Sequence, residues 1–174
     1  GSIQIQVFVS GQASNLISWS YATPVITSIS PLDSGPSARA LLTIDGTSFG
    51  TGSAAVTIGG LDCLPKSVNT HTKIVCQIPN GVGTNKPVVV TVLGSASNSN
   101  YLFSYKAPQI VEVLPALGPT EGNIFLNISG TFFGFDGSFG GSVSVGGTLC
   151  PVTVPDLYKD SSIFCNLQPG SGSG

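Results

Sequence analysis

Residues 24–50 read PVITSISPLDSGPSARALLTIDGTSFG, and residues 108–134 read PQIVEVLPALGPTEGNIFLNISGTFFG. The two stretches align without a gap, so that Pro31 meets Pro115 and the glycine before each final S-F-G or F-F-G segment is shared. Self-similarity at a fixed spacing is the signature of a repeated structural unit, and it decides the architecture before any local pattern does. The chain is therefore predicted to contain the same unit at least twice.

Each repeat carries its own pair of cysteines. The segment VTIGGLDC ends at Cys63 and matches VSVGGTLC, which ends at Cys150, while Cys76 matches Cys165. One short bridge per repeat, Cys63 with Cys76 and Cys150 with Cys165, accounts for two equivalent pairs better than four buried free thiols of a cytosolic protein. Disulfides indicate an oxidising compartment, and each such bridge contributes about 3 kcal/mol of stability by loop-closure arguments.

Short alternating runs fill both repeats. In one of them Leu42 and Ile44 alternate with Thr43 and Asp45, and turn signals such as DSGPS, PNG and SASNSN separate such runs. No stretch shows a sustained helical period with a cap. Short strands at regular spacing predict an all-β fold with one antiparallel β-sandwich per repeat.

The pattern of prolines, glycines, cysteines and apolar residues resembles the IPT/TIG domain, an immunoglobulin-like sandwich of receptor ectodomains, adhesion proteins and some transcription factors. In the first repeat the resemblance rests on Pro24, Ile29, Pro31, Leu42, Ile44, Gly46, Phe49, Gly50, Val56, Ile58, Gly59, Gly60, Cys63, Ile74, Cys76, Pro79, Phe103 and Tyr105. It covers essentially the whole chain and implies tandem sandwiches of the extracellular, disulfide-bearing kind. It implies little about function, because this fold serves as a generic spacer and adhesion module.

The start of the chain matches the last two strands of the first repeat. Residues 2–21 (SIQIQVFVSGQASNLISWSY) align without a gap with residues 86–105 (KPVVVTVLGSASNSNYLFSY), which sets Val7 over Thr91 and Trp19 over Phe103. The second repeat reaches the end of the sequence where its own last two strands would start. We therefore expect three units. They are an N-terminal hairpin (residues 1–23), a complete domain called the first sandwich (24–106) and a second sandwich (107–174) that lacks two strands.

The N-terminal hairpin is expected to bury one apolar face in a second sandwich. The residues on that face are Ile3, Ile5, Val7, Val9, Ile17, Trp19 and Tyr21. An open sheet invites pairing with another chain, and a lone hairpin is at best marginally stable. The linker from residue 21 to residue 24 reaches about 10 Å at most, so insertion into a neighbouring copy is favoured over insertion into the same chain.

The leading functional prediction is an extracellular structural subunit whose partner is itself. Each copy would donate its hairpin to the next and form a head-to-tail filament, as in donor-strand complementation. Two alternatives for the matching chain ends stay open. Either the residues are one period of a longer covalent array, or the boundaries are arbitrary and the glycine–serine ends are linkers. The alternative function is an excerpt of a tandem-repeat receptor or adhesion ectodomain, at the cell surface, that binds a protein ligand.

Composition argues against several other classes. Six basic and eight acidic residues give a net charge of −2, whereas nucleic-acid binding needs clustered cations. No apolar run approaches the ~20 residues of a membrane span. A lone histidine, His71, and isolated carboxylates predict no enzyme, no metal site and no cofactor.

Two further features are candidate surface sites. The sequon Asn127-Ile128-Ser129 places Asn127 at an outward position equivalent to Thr43, where a glycan would reach solvent; the other interpretation is an unused sequon. The loop at residues 130–141 adds three aromatic residues that the first repeat lacks, namely Phe132, Phe135 and Phe139. They are expected to pack over the domain end or the joint between domains, or to form an intersubunit contact. With Trp19 they are the candidates for the aromatic platform of a carbohydrate-binding module.

Overall fold

The computed structural model describes residues 2–37, 39–52, 54–134, 141–152 and 158–172. Every regular element in these residues is a β-strand, so the predicted all-β class is confirmed. Helices long and apolar enough to cross a membrane are absent from the described residues.

The N-terminal hairpin contains four short strands. They are β1 (Ile3–Ile5), β2 (Phe8–Val9), β3 (Gln12–Ala13) and β4 (Ile17–Trp19). β1 pairs with β4 and β2 pairs with β3, both antiparallel, so these strands form one continuous ribbon around a turn.

The first sandwich contains ten strands in two sheets. They are β5 (Val25–Ser30), β6 (Asp33–Ser34), β7 (Leu41–Thr47), β8 (Ala55–Ile58), β9 (Leu61–Asp62), β10 (Lys66–Asn69), β11 (Lys73–Gln77), β12 (Lys86–Val92), β13 (Ser95–Ala96) and β14 (Leu102–Tyr105). One sheet has the order β10-β11-β7-β5, and the other has the order β6-β14-β12-β8-β9, with β13 paired to β12. β6 and β14 run parallel, whereas the other pairs within this sandwich are antiparallel.

The core of the first sandwich lies between its two sheets. Alternate residues of β7 face inward, so that Leu42 and Ile44 are fully buried, while Leu41 at the start of the strand is exposed. Phe49 and Phe103 are the largest fully buried side chains. This inward–outward alternation is what a strand period of two dictates for a sheet with one buried face.

The second sandwich repeats only part of this plan. Its strands are β15 (Gln109–Leu114), β16 (Phe125–Thr131), β17 (Val143–Val145), β18 (Thr148–Cys150), β19 (Tyr158–Lys159) and β20 (Ser162–Asn166). The sheet β15-β16-β20-β19 is the strand-for-strand equivalent of β5-β7-β11-β10. Of the other sheet, the described residues contain β17 and β18, the equivalents of β8 and β9.

Both predicted disulfides are present. Cys63 bonds to Cys76 and Cys150 bonds to Cys165, each with a Cα–Cα distance of 5.5 Å. All four cysteines are buried within their cores. Each bridge therefore ties the two sheets of its own sandwich together.

The glycine shared by the two repeats has a steric reason. A Cβ atom on Gly46 would lie 2.1 Å from the carbonyl oxygen of Val25, and a Cβ atom on Gly130 would lie 2.0 Å from that of Gln109. Neither approach is possible for a residue with a side chain, because the contact is with backbone. Each repeat therefore needs glycine at this position of its second long strand, beside the backbone of its first.

Candidate functional site

The inward face predicted for the N-terminal hairpin is exposed in this chain. Its seven residues range from 44% exposed at Trp19 to 75% exposed at Tyr21. This face is exposed because β1–β4 make sheet hydrogen bonds only with one another among the described strands. Burial of Trp19 is expected when the hairpin enters another copy, and it stays a prediction.

The hairpin has the same internal hydrogen bonds as β12 and β13. The backbone N–H of Val7 donates to Oγ of Ser14 at 3.0 Å, and that of Val90 donates to Oγ of Ser97 at 3.0 Å. The return bonds, from the N–H of each serine to the carbonyl of the same valine, are both 2.8 Å. The two ribbons therefore share one turn geometry, although one is exposed and the other belongs to a core.

This geometry corrects the predicted alignment by one residue. Val7 is equivalent to Val90 and not to Thr91. The strand pairs agree with this, because Ile3 pairs with Trp19 as Lys86 pairs with Phe103. The first repeat has one residue more between turn and second strand, which the alignment without a gap hides.

The corrected alignment changes which positions of the first sandwich correspond to the apolar residues of the hairpin. Ile5 and Val7 become equivalent to Val88 and Val90, which are both fully buried in the first sandwich. Under the alignment without a gap, the same side chains would match half-buried positions. The apolar face of the hairpin is therefore the counterpart of a core face.

The second hairpin strand ends in a ring pair with a buried counterpart. The rings of Trp19 and Tyr21 are 4.4 Å apart at 80°, and those of Phe103 and Tyr105 are 5.2 Å apart at 82°. The Tyr105 hydroxyl donates to the carbonyl of Pro79 at 2.9 Å. Burial raises the pKa of that hydroxyl above its usual value.

The second sandwich presents an open sheet edge. In the first sandwich β8 pairs with β9 on one side and with β12 on the other. The equivalent β17 pairs with β18, and its other side carries no partner among the described strands. Likewise β6 pairs with β14, whereas the equivalent Leu117 lies in no described strand and is 89% exposed. Within the described residues, the edge is therefore unpaired at both places where β12 and β14 stand in the first sandwich.

A cleft of about 480 Å³ lies at the turn between β17 and β18, and we call it the open cleft. Its lining comes from residues 118–120, from residues 145–146 and 148–150 of the β17–β18 segment, and from residues 167–172. The wall includes Leu149, which is 58% exposed. A recess close to an unpaired strand is a geometry that can accept an added strand.

Two equivalent glycines locate the cleft in the plan of the first sandwich. The N–H of Gly81 donates to the carbonyl of Pro36 at 3.1 Å, and that of Gly170 donates to the carbonyl of Thr120 at 2.9 Å. A Cβ atom on Gly81 would lie 2.6 Å from the ring of Tyr105, whereas one on Gly170 would have no atom of the described residues within 4 Å. The open cleft at Gly170 is therefore the place that Tyr105 fills in the first sandwich.

A second pair of glycines gives the same result for the neighbouring strand. A Cβ atom on Gly59, after β8, would lie 2.9 Å from the side chain of Lys86 on β12. A Cβ atom on the equivalent Gly146, after β17, would have no neighbour within 4 Å in the part of the chain that the structure describes.

Of the three added aromatic residues of the second repeat, Phe132 lies within the described residues. The ammonium group of Lys106 lies 5.5 Å from the ring centroid of Phe132 and 3.5 Å from a carboxylate oxygen of Asp33. Phe132 thus lies near the end of the first sandwich, beside Lys106. Phe135 and Phe139 lie outside the described residues.

Asn127 lies on the central strand β16, between Leu114 of β15 and Phe164 of β20. Its neighbours Leu126 and Ile128 are buried, so its side chain is on the outer face of the sheet, as predicted.

The sequence did not single out Phe125, Phe164 or Gly170. The signal for the two rings is a difference from the first repeat, which has Leu41 and Val75 at the equivalent positions. The signal for the glycine is that both repeats share it.

No group of three or more histidine, cysteine, aspartate or glutamate side chains that could hold a metal occurs in the described part of the chain. His71 contributes its backbone, because its carbonyl accepts a hydrogen bond of 3.0 Å from the N–H of Phe49.

A model of the IPT/TIG domain family matches residues 24–105 and 108–174. Human fibrocystin-L is 32% identical over 168 residues, which is 90% of this chain and 4% of that protein. Mouse plexin-B2 is 31% identical over 156 residues, 84% of this chain and 8% of that protein. A structure of the full extracellular region of plexin A4 is 21% identical, with a TM-score of 0.46 over 100% of this chain and 15% of that one. The chain thus spans a small part of the relatives it matches.

Proposed function

The chain belongs to the IPT/TIG domain family, and on that premise we propose that it is a stretch of tandem domains in the ectodomain of a cell-surface receptor or adhesion protein. The chain is extracellular, as its disulfides and its relatives indicate. The observation that carries the proposal is the similarity to fibrocystin-L, which extends over 90% of the chain and so includes both sandwiches. The proposed role is non-catalytic, and the proposed partner is a protein ligand.

We further propose that the three units of the chain have different roles. Residues 24–106 form a filled domain, residues 107–174 form a domain that still accepts two strands, and residues 1–23 are a two-stranded unit of the kind it accepts. In an array, each joint between successive units would then be a hairpin seated in an open cleft. The filled first sandwich is the example of that seated state.

A cell-binding experiment tests the receptor proposal. The chain, secreted as a tagged fusion, is added to intact cells of its source organism, and bound protein is measured as a function of concentration. We expect saturable binding that mild trypsin treatment of the cells abolishes. A double Cys150→Ala/Cys165→Ala variant, which lacks the second bridge, is the control for a folded second sandwich. Trypsin-resistant or absent binding would contradict a protein ligand.

A second candidate function is head-to-tail assembly of copies of this chain, and a specific observation favours it. One and the same chain exposes a hairpin with a core-type face and presents an open cleft where the equivalent hairpin of the first sandwich lies. We propose that the hairpin of one copy enters the open cleft of the next. Such a contact is heterologous, so repeated addition gives an open filament or a ring.

Light scattering after size-exclusion chromatography, with negative-stain microscopy, tests this assembly. We expect concentration-dependent polymers that dissolve on a denaturing gel into single bands of 17.6 kDa. An Ile5→Ser/Trp19→Ser variant alters the inward face and should remain monomeric. The matched control Phe8→Ser alters a 67% exposed residue on the opposite face and should still assemble.

Two results would overturn head-to-tail assembly. One is a wild-type chain that stays monomeric at the highest concentration reached. The other is a chain lacking residues 2–21 that still polymerises. Either result leaves the receptor proposal untouched, because cell binding does not require assembly of free copies.

A further inference from the structure

The outer face of the second sandwich differs from that of the first at its centre. β16 carries Phe125 and Asn127 where the equivalent β7 carries Leu41 and Thr43. The β15-β16-β20-β19 and β5-β7-β11-β10 sheets have otherwise the same strand order. The first sandwich is therefore an internal reference for what this face looks like without its added side chains.

The neighbouring strand contributes a second added ring. Phe164 of β20 is the direct partner of Asn127 across the sheet, and in the first sandwich Val75 is the partner of Thr43. Directly paired side chains have Cβ atoms about 5 Å apart. Two aromatic substitutions thus flank the one asparagine, along its strand and across from it.

All of these side chains lie on one face. Leu126 and Ile128 point into the core, so Phe125 and Asn127 point outward, with about 7 Å between positions two apart on a strand. On the other flank, Leu114 is the partner of Asn127. Phe125 is 57% exposed and Leu114 is 47% exposed. An apolar patch with an amide at its centre results.

The amide of Asn127 is the group to which a glycan would be attached. The side chain of Asn127 is partly buried, and its Oδ1 has no hydrogen-bond partner among the described residues. Nδ2 is the atom to which N-linked sugars are joined, and Asn127-Ile128-Ser129 satisfies the acceptor rule. β16 is paired on both sides, so attachment would precede pairing of the strand.

We propose that Asn127 carries an N-linked glycan whose first sugar ring packs against Phe125 and Phe164. One face of an N-acetylglucosamine ring consists of C–H groups, which pack on an aromatic ring as other apolar groups do. In the transfer, Nδ2 loses a proton and bonds to C1 of the sugar, and the lipid diphosphate of the donor leaves. The glycan then covers a patch that would otherwise expose two rings to water. This inference rests on the extracellular location and is independent of head-to-tail assembly.

Secretion of the chain from animal cells tests the attachment. We expect a mass above that of the polypeptide, which an N-glycan-specific amidase removes with conversion of residue 127 to aspartate. Ser129→Ala removes the acceptor hydroxyl and should lack the added mass. An unmodified Asn127 in the secreted protein would overturn the proposal.

The packing is tested by the thermal midpoint before and after amidase treatment. In the wild-type chain we expect removal of the sugar to lower the midpoint of the second sandwich by about 4 °C. In Phe125→Leu and in Phe164→Val, which restore the residue types of the first sandwich, the change should be at most half as large. Phe125 is exposed, so its variant is expected to fold in any case. An equal change in all three proteins would show that the rings do not hold the sugar.

Discussion

Gly81 and Gly170 have equivalent positions, and their surroundings differ by one tyrosine ring. At Gly81 a methyl group would lie 2.6 Å from the Tyr105 ring, which must then move. We expect Gly81→Ala to lower the free energy of unfolding of the first sandwich by roughly 1–3 kcal/mol, the usual cost of overpacking. Gly170→Ala should change that of the second sandwich little in the monomer. Urea unfolding of each variant measures both.

The same pair of variants distinguishes an open cleft from one that is merely loosely packed. If the cleft receives a tyrosine from another copy, Gly170→Ala should weaken assembly although it leaves the monomer intact. Equal destabilisation of the two monomeric variants would mean that Gly170 already has a neighbour at this position, and the equivalence would be wrong.

At the scale of strands, most of the fold is predictable from the sequence because its causes are local. Alternation around Leu42 and Leu126 identifies β7 and β16, and the paired cysteines fix which strands each bridge joins. The alignment of the hairpin with the first repeat is wrong by one residue in the first strand and the turn. The segments GQASN (residues 11–15) and GSASN (residues 94–98) carry the correct match, but an alignment without a gap sets them out of phase.

The lining of the open cleft at Gly170 and the two rings beside Asn127 are not predicted by the sequence, for a different reason. Gly170 matters because of the ring that is absent beside it, and Phe164 matters because β20 brings it opposite Asn127. Both facts depend on which strands are neighbours. A pattern within one strand does not contain that information, whereas the comparison of two equivalent sandwiches does.

The two disulfides should differ in how much each sandwich depends on them. The second sandwich has a much smaller buried core within the described residues than the first, and its bridge Cys150–Cys165 lies inside it. Each bridge is worth about 3 kcal/mol. We expect Cys150→Ala/Cys165→Ala to unfold the monomeric second sandwich, whereas Cys63→Ala/Cys76→Ala should leave the first sandwich folded with a lower midpoint. Near-ultraviolet circular dichroism during thermal unfolding distinguishes them, and equal losses would contradict this ranking.

For the whole molecule, the question is whether the open edge of β17 is closed in solution by another copy. Burying the seven apolar side chains of the hairpin contributes on the order of 10 kcal/mol gross, from which the costs of association and ordering are subtracted. A hairpin that binds only the folded second sandwich stabilises it by about 2.7 kcal/mol when free chain exceeds the dissociation constant about 100-fold. The stability of this sandwich should therefore depend on protein concentration, whereas that of the first should not.

Amide hydrogen exchange measures this at the strand concerned. We expect exchange in β17 to slow as the chain concentration rises, because its outer edge gains a partner strand, while β8 exchanges slowly at every concentration since β12 already covers it. Trp19→Ser should abolish the concentration dependence at β17 and leave β8 unchanged. If β17 exchanges at one rate throughout, the hairpin does not close the edge between free copies.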